Sequence, residues 1–322
     1  MNITFYSNVT VKEKTLKYIP QIADHNIKFI KLKDKNTLLT EAKDTQILIV
    51  DAMGTVDREI IDSMPDLKLI HSEGVGYQGI DTDYAASKNI IVCNNKGVND
   101  TAVAEGALLL MLSCLKQIIT GNQSVYDGLQ IEVKSKSFGV VKELSQCTVG
   151  LIGFGDIAKK TAQFCNALGA NVIYYNRTRY SELETEYGVT YKNLDELLHT
   201  SDFVSLHIAA NNETKNMVDE DFLAKMKEDS FLINTARGDL VDNKALFNAL
   251  LNNQIAGAGL DVISPEPVTK DNILLDERIK SKMIITPHIA GITNLTVQKI
   301  YRNIWKNIQH LINKEPLKNQ IV

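Results

Sequence analysis

The 322-residue sequence has little of what would set it apart from ordinary globular proteins. It holds only four cysteines, Cys93, Cys114, Cys147 and Cys165. There is no Cys-x-x-Cys pair and no histidine cluster beside them, which argues against a zinc ribbon or a disulfide framework. Four reduced thiols in a cytoplasmic compartment, and no metal ion, are expected. Long apolar runs are missing as well. The longest, Ala107 to Met111 extending loosely to Leu115, falls well short of the roughly 20 residues that span a bilayer. It reads as a buried helix, so no membrane is expected as a partner. The start, Met1-Asn2-Ile3-Thr4-Phe5-Tyr6, has no basic segment leading into an apolar one, so export is not expected. Positive charge is not in excess: 35 Lys and Arg stand against 39 Asp and Glu, for a net charge of -4. No nucleic-acid partner is expected from such a balance. What remains is 44% hydrophobic and 23% charged, the composition of a folded globular chain. Its length is about twice that of a usual single domain, so two domains are expected.

Hydrophobic patterning divides the chain into two alternating regions. In the first, short apolar runs at Ile3 to Tyr6, Ile27 to Leu32, Ile47 to Val50, Leu67 to Ile70 and Ile90 to Cys93 predict strands. Helical patterns at Val56 to Met64 and Asp81 to Ser87 separate some of them. The second begins at Cys147. Strands are predicted at Thr148 to Ile152, Asn171 to Tyr175, Phe203 to His207, Ser230 to Asn234, Gly257 to Asp261 and Met283 to Thr286. Helices fit at Asp156 to Leu168, Leu194 to Leu198, Asp219 to Met226 and Asn243 to Leu251. Strands alternating with helices imply parallel sheets covered on both faces, hence an α/β protein. Between the regions, Thr101 to Thr120 predicts one long, mostly buried helix, and Tyr126 to Leu144 reads as a loop. Thr293 to Leu311 predicts a final amphipathic helix.

The strongest local motif is Gly153-Phe154-Gly155-Asp156-Ile157-Ala158, which follows a buried strand and opens a helix. In such a Gly-x-Gly-x-x-Ala turn the first glycine bends the chain and the second lets the backbone approach a pyrophosphate. The small third residue lets helix and strand pack closely, and the helix N-terminus offers its free N–H groups. A dinucleotide site is therefore expected. An NAD site usually places Asp or Glu at the end of the next strand. Here that strand ends Tyr175-Asn176-Arg177-Thr178-Arg179, without a carboxylate. Arginines there can pair with a 2′-phosphate, so NADP is favoured over NAD. The alternative is two solvated surface arginines.

Three later segments leave predicted strands and carry chemistry-bearing side chains: Asn234-Thr235-Ala236-Arg237-Gly238, Asp261 to Pro267 with Glu266, and Pro287-His288-Ile289-Ala290-Gly291. Ligands of open parallel sheets lie beyond the carboxyl ends of strands, where Arg237, Glu266 and His288 would stand. Together with the glycine motif, these segments resemble the signatures of the D-isomer-specific 2-hydroxyacid dehydrogenases. Glu73 to Asp81 resembles that family's substrate loop, and Val98 to Glu105 the start of its interdomain helix. The likeness spans almost the whole chain.

The resemblance implies two doubly wound parallel-sheet domains: a flavodoxin-like substrate domain, 1–98 plus 292–322, around an inserted Rossmann NAD(P)-binding domain, 99–291. It implies His288 as general acid/base, Glu266 as its partner and Arg237 as the substrate clamp. The chemistry suits them. An imidazole can deliver a proton near neutrality, a carboxylate beside it favours the protonated ring, and a forked guanidinium can hold a carboxylate and polarise a carbonyl. Backbone N–H groups of Val75 and Gly76 would also bind substrate. The cofactor would be lined by Gly153, Gly155, Asp156, Ile157, Asn176, Arg177, Thr178, His207, Ile208, Thr214, Thr235, Ala236, Asp261, His288 and Gly291. Asp261 would accept from the nicotinamide carboxamide, or else cap a loop. Two segments depart from the family pattern: Gln78-Gly79, where Asp-Asn or Asp-His is frequent, and Ala209-Ala210, where relatives often have Pro-Leu. The implied activity is hydride transfer between NAD(P)H and a small 2-oxo or D-2-hydroxy acid, in a homodimer. The alternatives are a 3-phosphoglycerate dehydrogenase lacking a regulatory domain and a non-enzymatic nucleotide sensor like the family's corepressors.

Overall fold

The computed structural model describes residues 1–7 and 11–322. The chain forms two compact units, one of Met1–Asn99 with Thr293–Val322, the other of Asp100–Ile292. In the first, strands and helices alternate as β1 (Asn2–Ser7), α1 (Val11–Tyr18), β2 (Asn26–Lys31), α2 (Lys35–Glu41), β3 (Ile47–Val50), α3 (Arg58–Asp62), β4 (Leu69–Ser72), α4 (Thr82–Ser87) and β5 (Ile91–Cys93). All pairings among these strands are parallel, and the order is β2-β1-β3-β4-β5. This is the flavodoxin-like doubly wound order. The central strands β3 and β4 are buried along their whole length, as a sheet covered on both faces requires.

The second unit opens with α5 (Asp100–Leu115), α6 (Ile118–Tyr126) and α7 (Gln130–Ser137). One long helix was expected over Thr101 to Thr120. Instead the chain turns at Gln117, whose φ is 51°, and α5 and α6 diverge by 54°. The expected loop from Tyr126 to Leu144 contains α7, which buries none of its side chains. Among the described residues no single helix is long and apolar enough to cross a membrane.

A second sheet follows: β6 (Thr148–Ile152), α8 (Asp156–Ala167), β7 (Asn171–Tyr175), α9 (Ser181–Tyr187), β8 (Thr190–Tyr191), α10 (Leu194–Thr200), β9 (Phe203–Leu206), α11 (Glu220–Ala224), β10 (Phe231–Asn234), α12 (Asn243–Leu251), β11 (Gly257–Leu260) and β12 (Met283–Ile285). Its order, β12-β11-β10-β9-β6-β7-β8, is all parallel. That is the Rossmann order with one extra strand, reversing direction between β6 and β9. Helix α5 lies in the core with α8, so Ala107, Leu110, Met111 and Ala158 pack together on one face of this sheet.

The chain then returns to the first unit as α13 (Asn294–Asn313). Thr293 caps it, its hydroxyl accepting from the Thr296 amide at 3.1 Å. Tyr301, Ile304 and Ile308 pack with Ile3, Phe5, Ile49 and Leu69 of the first sheet. The tail after α13 pairs antiparallel beside β5 at Cys93 and Gln320, covering an otherwise open edge.

Candidate active site

In the second unit the reversal point of the sheet is built by Gly153 and the residues after β9. Gly153 has φ of 92°, a conformation open to glycine. A Cβ there would also lie 2.5 Å from the His207 carbonyl oxygen and 2.6 Å from Ile208 Cγ2. Gly155 precedes α8 and has nothing within 4 Å of where a Cβ would be. Helices α3, α4, α10, α11 and α12 are each capped by an Asp or Asn side chain. Helix α8 opens on Gly155 with no side-chain cap, so the amides of Asp156, Ile157 and Ala158 keep their donors for an anion. Ala158 is fully buried against the sheet.

Other residues expected at the cofactor lie on loops at the same strand ends. The His207 ring nitrogen Nε2 sits 2.9 Å from Ser205 Oγ, and burial of the ring drives its pKa down to about 4. Ile208 packs on the core edge. Thr214 closes its own loop, accepting from the Asn211 amide at 2.9 Å and donating to the Ala209 carbonyl at 2.8 Å. Beyond β7, the Asn176 amide donates to the Thr178 carbonyl at 2.9 Å. Arg179 is held bidentately by Glu184 at 2.7 and 2.9 Å and lies over the Tyr191 ring. Arg177 is 83% exposed and meets Glu213, itself exposed, at 3.0 Å.

The turn after β10 is folded by Asn234, a fully buried residue. Its side chain accepts from the Ala236 amide at 3.0 Å and donates to the Arg237 carbonyl at 2.8 Å. Asn234 was absent from the expected site residues; a polar residue ending an apolar strand was the available signal. The Arg237 guanidinium donates to the Ala236 carbonyl at 2.6 Å. Burial pulls its pKa down while Glu266 pushes it up. Arg237, Gly238, Asp239, Ile263, Ser264 and Glu266 line one cavity of about 210 Å³.

His288 and Glu266 meet directly, with Nδ1 2.9 and 3.2 Å from the two carboxylate oxygens. With Nδ1 bound to a carboxylate, it carries the proton, and Nε2 is left for chemistry. His288 has φ of 55°, an uncommon conformation for a residue with a side chain. Asp261 holds it there. Its carbonyl accepts from the His288 amide at 2.8 Å. Its carboxylate accepts from the Thr286 hydroxyl at 2.6 Å and from the Ile289 and Ala290 amides, both at 2.9 Å. Asp261 is 2% exposed, so these are the bonds of a capping carboxylate. Gly291 follows directly, half-buried.

In the first unit, the loop after β4 has its carbonyls occupied. The Ser72 hydroxyl donates to Gly76, the Asn94 amide to Val75, and the Asn95 backbone amide to Gly74, at 2.6, 2.8 and 2.9 Å. Among the described residues, the Val75 and Gly76 amides have no partner within the unit. A loop with its acceptors used and its donors spare is suited to an anion.

Comparison with known proteins agrees with this architecture. Residues 108–290 match the model of the D-isomer specific 2-hydroxyacid dehydrogenase, NAD binding domain. The glyoxylate reductase of Thermococcus litoralis is 33% identical over 302 residues, covering 89% of both chains. The chain belongs to the D-isomer specific 2-hydroxyacid dehydrogenase family. It is an NAD(P)-dependent oxidoreductase that reduces 2-oxo acids. Two solved structures share the fold over nearly their full length. The D-lactate dehydrogenase of Aquifex aeolicus, complexed with NAD and lactic acid, has a TM-score of 0.84 at 30% identity, covering 98% of this chain and 96% of its own. The NADPH-dependent glyoxylate/hydroxypyruvate reductase of Sinorhizobium meliloti, in complex with citrate, has a TM-score of 0.84 at 26% identity, covering 100% and 97%. The residues of this dehydrogenase fit a dinucleotide: α8 leaves its first amides uncapped, and the buried Thr235 hydroxyl has no hydrogen-bond partner.

Proposed function

We propose that His288 is the general acid/base, Glu266 its orienting partner and Arg237 the clamp for the substrate carboxylate. The observation that carries this reading is the contact of His288 Nδ1 with both Glu266 oxygens. The carboxylate fixes the tautomer and orients the ring, so Nε2 can give a proton to a carbonyl oxygen becoming an alcohol and take it back in the reverse direction. Arg237 stays charged despite its partial burial and can grip a carboxylate through two parallel N–H bonds. The Val75 and Gly76 amides provide a second anion-binding element. When bound, NAD(P)H would supply the hydride to the carbonyl carbon. The uncapped start of α8 at Gly155 and Asp156, with Ile157, would hold its pyrophosphate. Thr235, Ala236, His207, Ile208, Thr214 and Gly291 would line it, with Asp261 shaping the nicotinamide end through the His288 segment.

We further propose NADP as the preferred cofactor, resting on Arg177 with Asn176 and Thr178, since Arg179 is already committed to Glu184. The substrate is a small 2-oxo acid, and the protein works in a reducing, cytoplasmic setting as a homodimer. All four cysteines are free and buried, consistent with that setting.

Reduction of glyoxylate and hydroxypyruvate by NADPH and NADH tests the assignment. His288→Ala should lower kcat by at least about a hundredfold, the usual share of a positioned acid/base. Turnover unchanged in that variant would overturn the reading.

A further inference from the structure

The loop that carries Glu266 leaves β11 at Asp261 and is anchored at Ser264 from three sides. The Ser264 carbonyl accepts from the side-chain amides of Asn243 at 2.6 Å and Asn272 at 3.1 Å. Its hydroxyl donates to the Asp239 carboxylate. Behind it, Gly238 packs so closely that a Cβ would meet the Ser264 amide nitrogen and lie 2.5 Å from the Ile263 carbonyl carbon. Asp239 follows Arg237 and Gly238 in sequence, and all three line the same cavity as Ser264 and Glu266. Among the described residues no Lys, Arg or His forms an ion pair with Asp239. Its carboxylate is directed at a neutral hydroxyl, a charge-assisted bond stronger than an ordinary one.

We propose that Asp239 is a positioning residue for proton transfer: by holding Ser264 it locks the Glu266 loop onto the Arg237 turn, and so sets Glu266 against His288. The inference rests on the roles given above to Glu266 and His288. Asp239 itself need touch neither substrate nor cofactor. A change in how Glu266 meets His288 should appear in the pH dependence of reduction, a readout that a merely structural role of Asp239 would not move.

The test follows kcat/KM for glyoxylate reduction against pH in the wild-type protein, Asp239→Ala, Asp239→Asn, Ser264→Ala and Glu266→Gln. Thermal melting and nucleotide binding are measured in parallel. Asp239→Ala and Ser264→Ala should each lower kcat/KM by about tenfold, below the roughly hundredfold of a misplaced catalytic group. Both should move the alkaline limb of the profile in the direction set by Glu266→Gln. Their double variant should be no worse than either single one, because the two act through one bond. Asp239→Asn keeps an acceptor and should stay near the wild-type value. An Asp239→Ala profile identical to the wild type, or one shifted further on the Glu266→Gln background, would overturn the proposal. If Glu266→Gln itself leaves the profile unchanged, the fault lies in the assignment of Glu266 rather than in its anchor.

Discussion

Glu73 and His71 are neighbours whose charges the first unit resists in opposite directions. The Glu73 carboxylate accepts from the Ser7 hydroxyl and, at 3.4 Å, from Tyr301. Burial pushes its pKa up to about 7, with Asp51 adding to the rise and Lys14 on α1 opposing it. His71 is fully buried, its Nδ1 2.8 Å from the Ser72 carbonyl and its Nε2 3.0 Å from the Asn307 side-chain amide. Burial lowers it to about 4. A carboxyl raised on folding contributes stability that is complete below pH 4.5 and is lost as pH climbs through about 7. A depressed histidine contributes above pH 6.5 and loses it as pH falls towards 4. Glu73→Gln should therefore stabilise the protein at pH 8, by on the order of 3 kcal/mol at most, and much less at pH 5. Urea unfolding at the two pH values checks this; an equal gain at both would show that ionisation of Glu73 is not the cause.

The elements that lay open to sequence reading are those whose pattern reflects burial inside this chain. Strand β6 and its glycine turn fall where expected because an apolar run and a Gly-x-Gly pair both answer to local geometry. Helix α12 is likewise legible from Asn243 to Leu251, and Asp242 caps it. Helix α7 buries none of its side chains, so it carries no apolar stripe and its sequence looks like a loop. No proline or glycine stands at the break at Gln117, so nothing in the pattern signals it. The loop leaving β7 was only half legible. Its residues named a pair of arginines, but Glu184, five positions on from Arg179, takes one of them. Arg177→Ala should accordingly raise the KM for NADPH by roughly tenfold, the scale of one charge-assisted bond, and leave that for NADH nearly unchanged. Steady-state kinetics with both cofactors decides it, and equal effects would remove the basis for preferring NADP.

At the scale of the whole molecule, α6, α7 and the following turn expose large apolar side chains. Phe138 is 86% exposed, Tyr126 81% and Ile131 76%. A cluster of this kind is typical of a surface that meets another protein. If it is the homodimer contact, Ile131→Asp with Phe138→Asp should yield a monomer, measured as halved mass by light scattering, with the far-ultraviolet spectrum kept. A variant that retains the wild-type mass would place any dimer contact elsewhere.

The sequence by itself determined the alternating α/β plan and the glycine turn, because each depends on local periodicity or on a motif a few residues long; it made Arg237, Glu266 and His288 candidates through a family resemblance. Only the tertiary structure decided that Asp261 binds the His288 segment, that Asn234 folds the Arg237 turn and that Arg179 belongs to Glu184. Those are contacts between side chains and distant or irregular backbone. A hydrogen-bond partner is chosen by where folding brings donor and acceptor together, and that is not written in the spacing of residues along the chain.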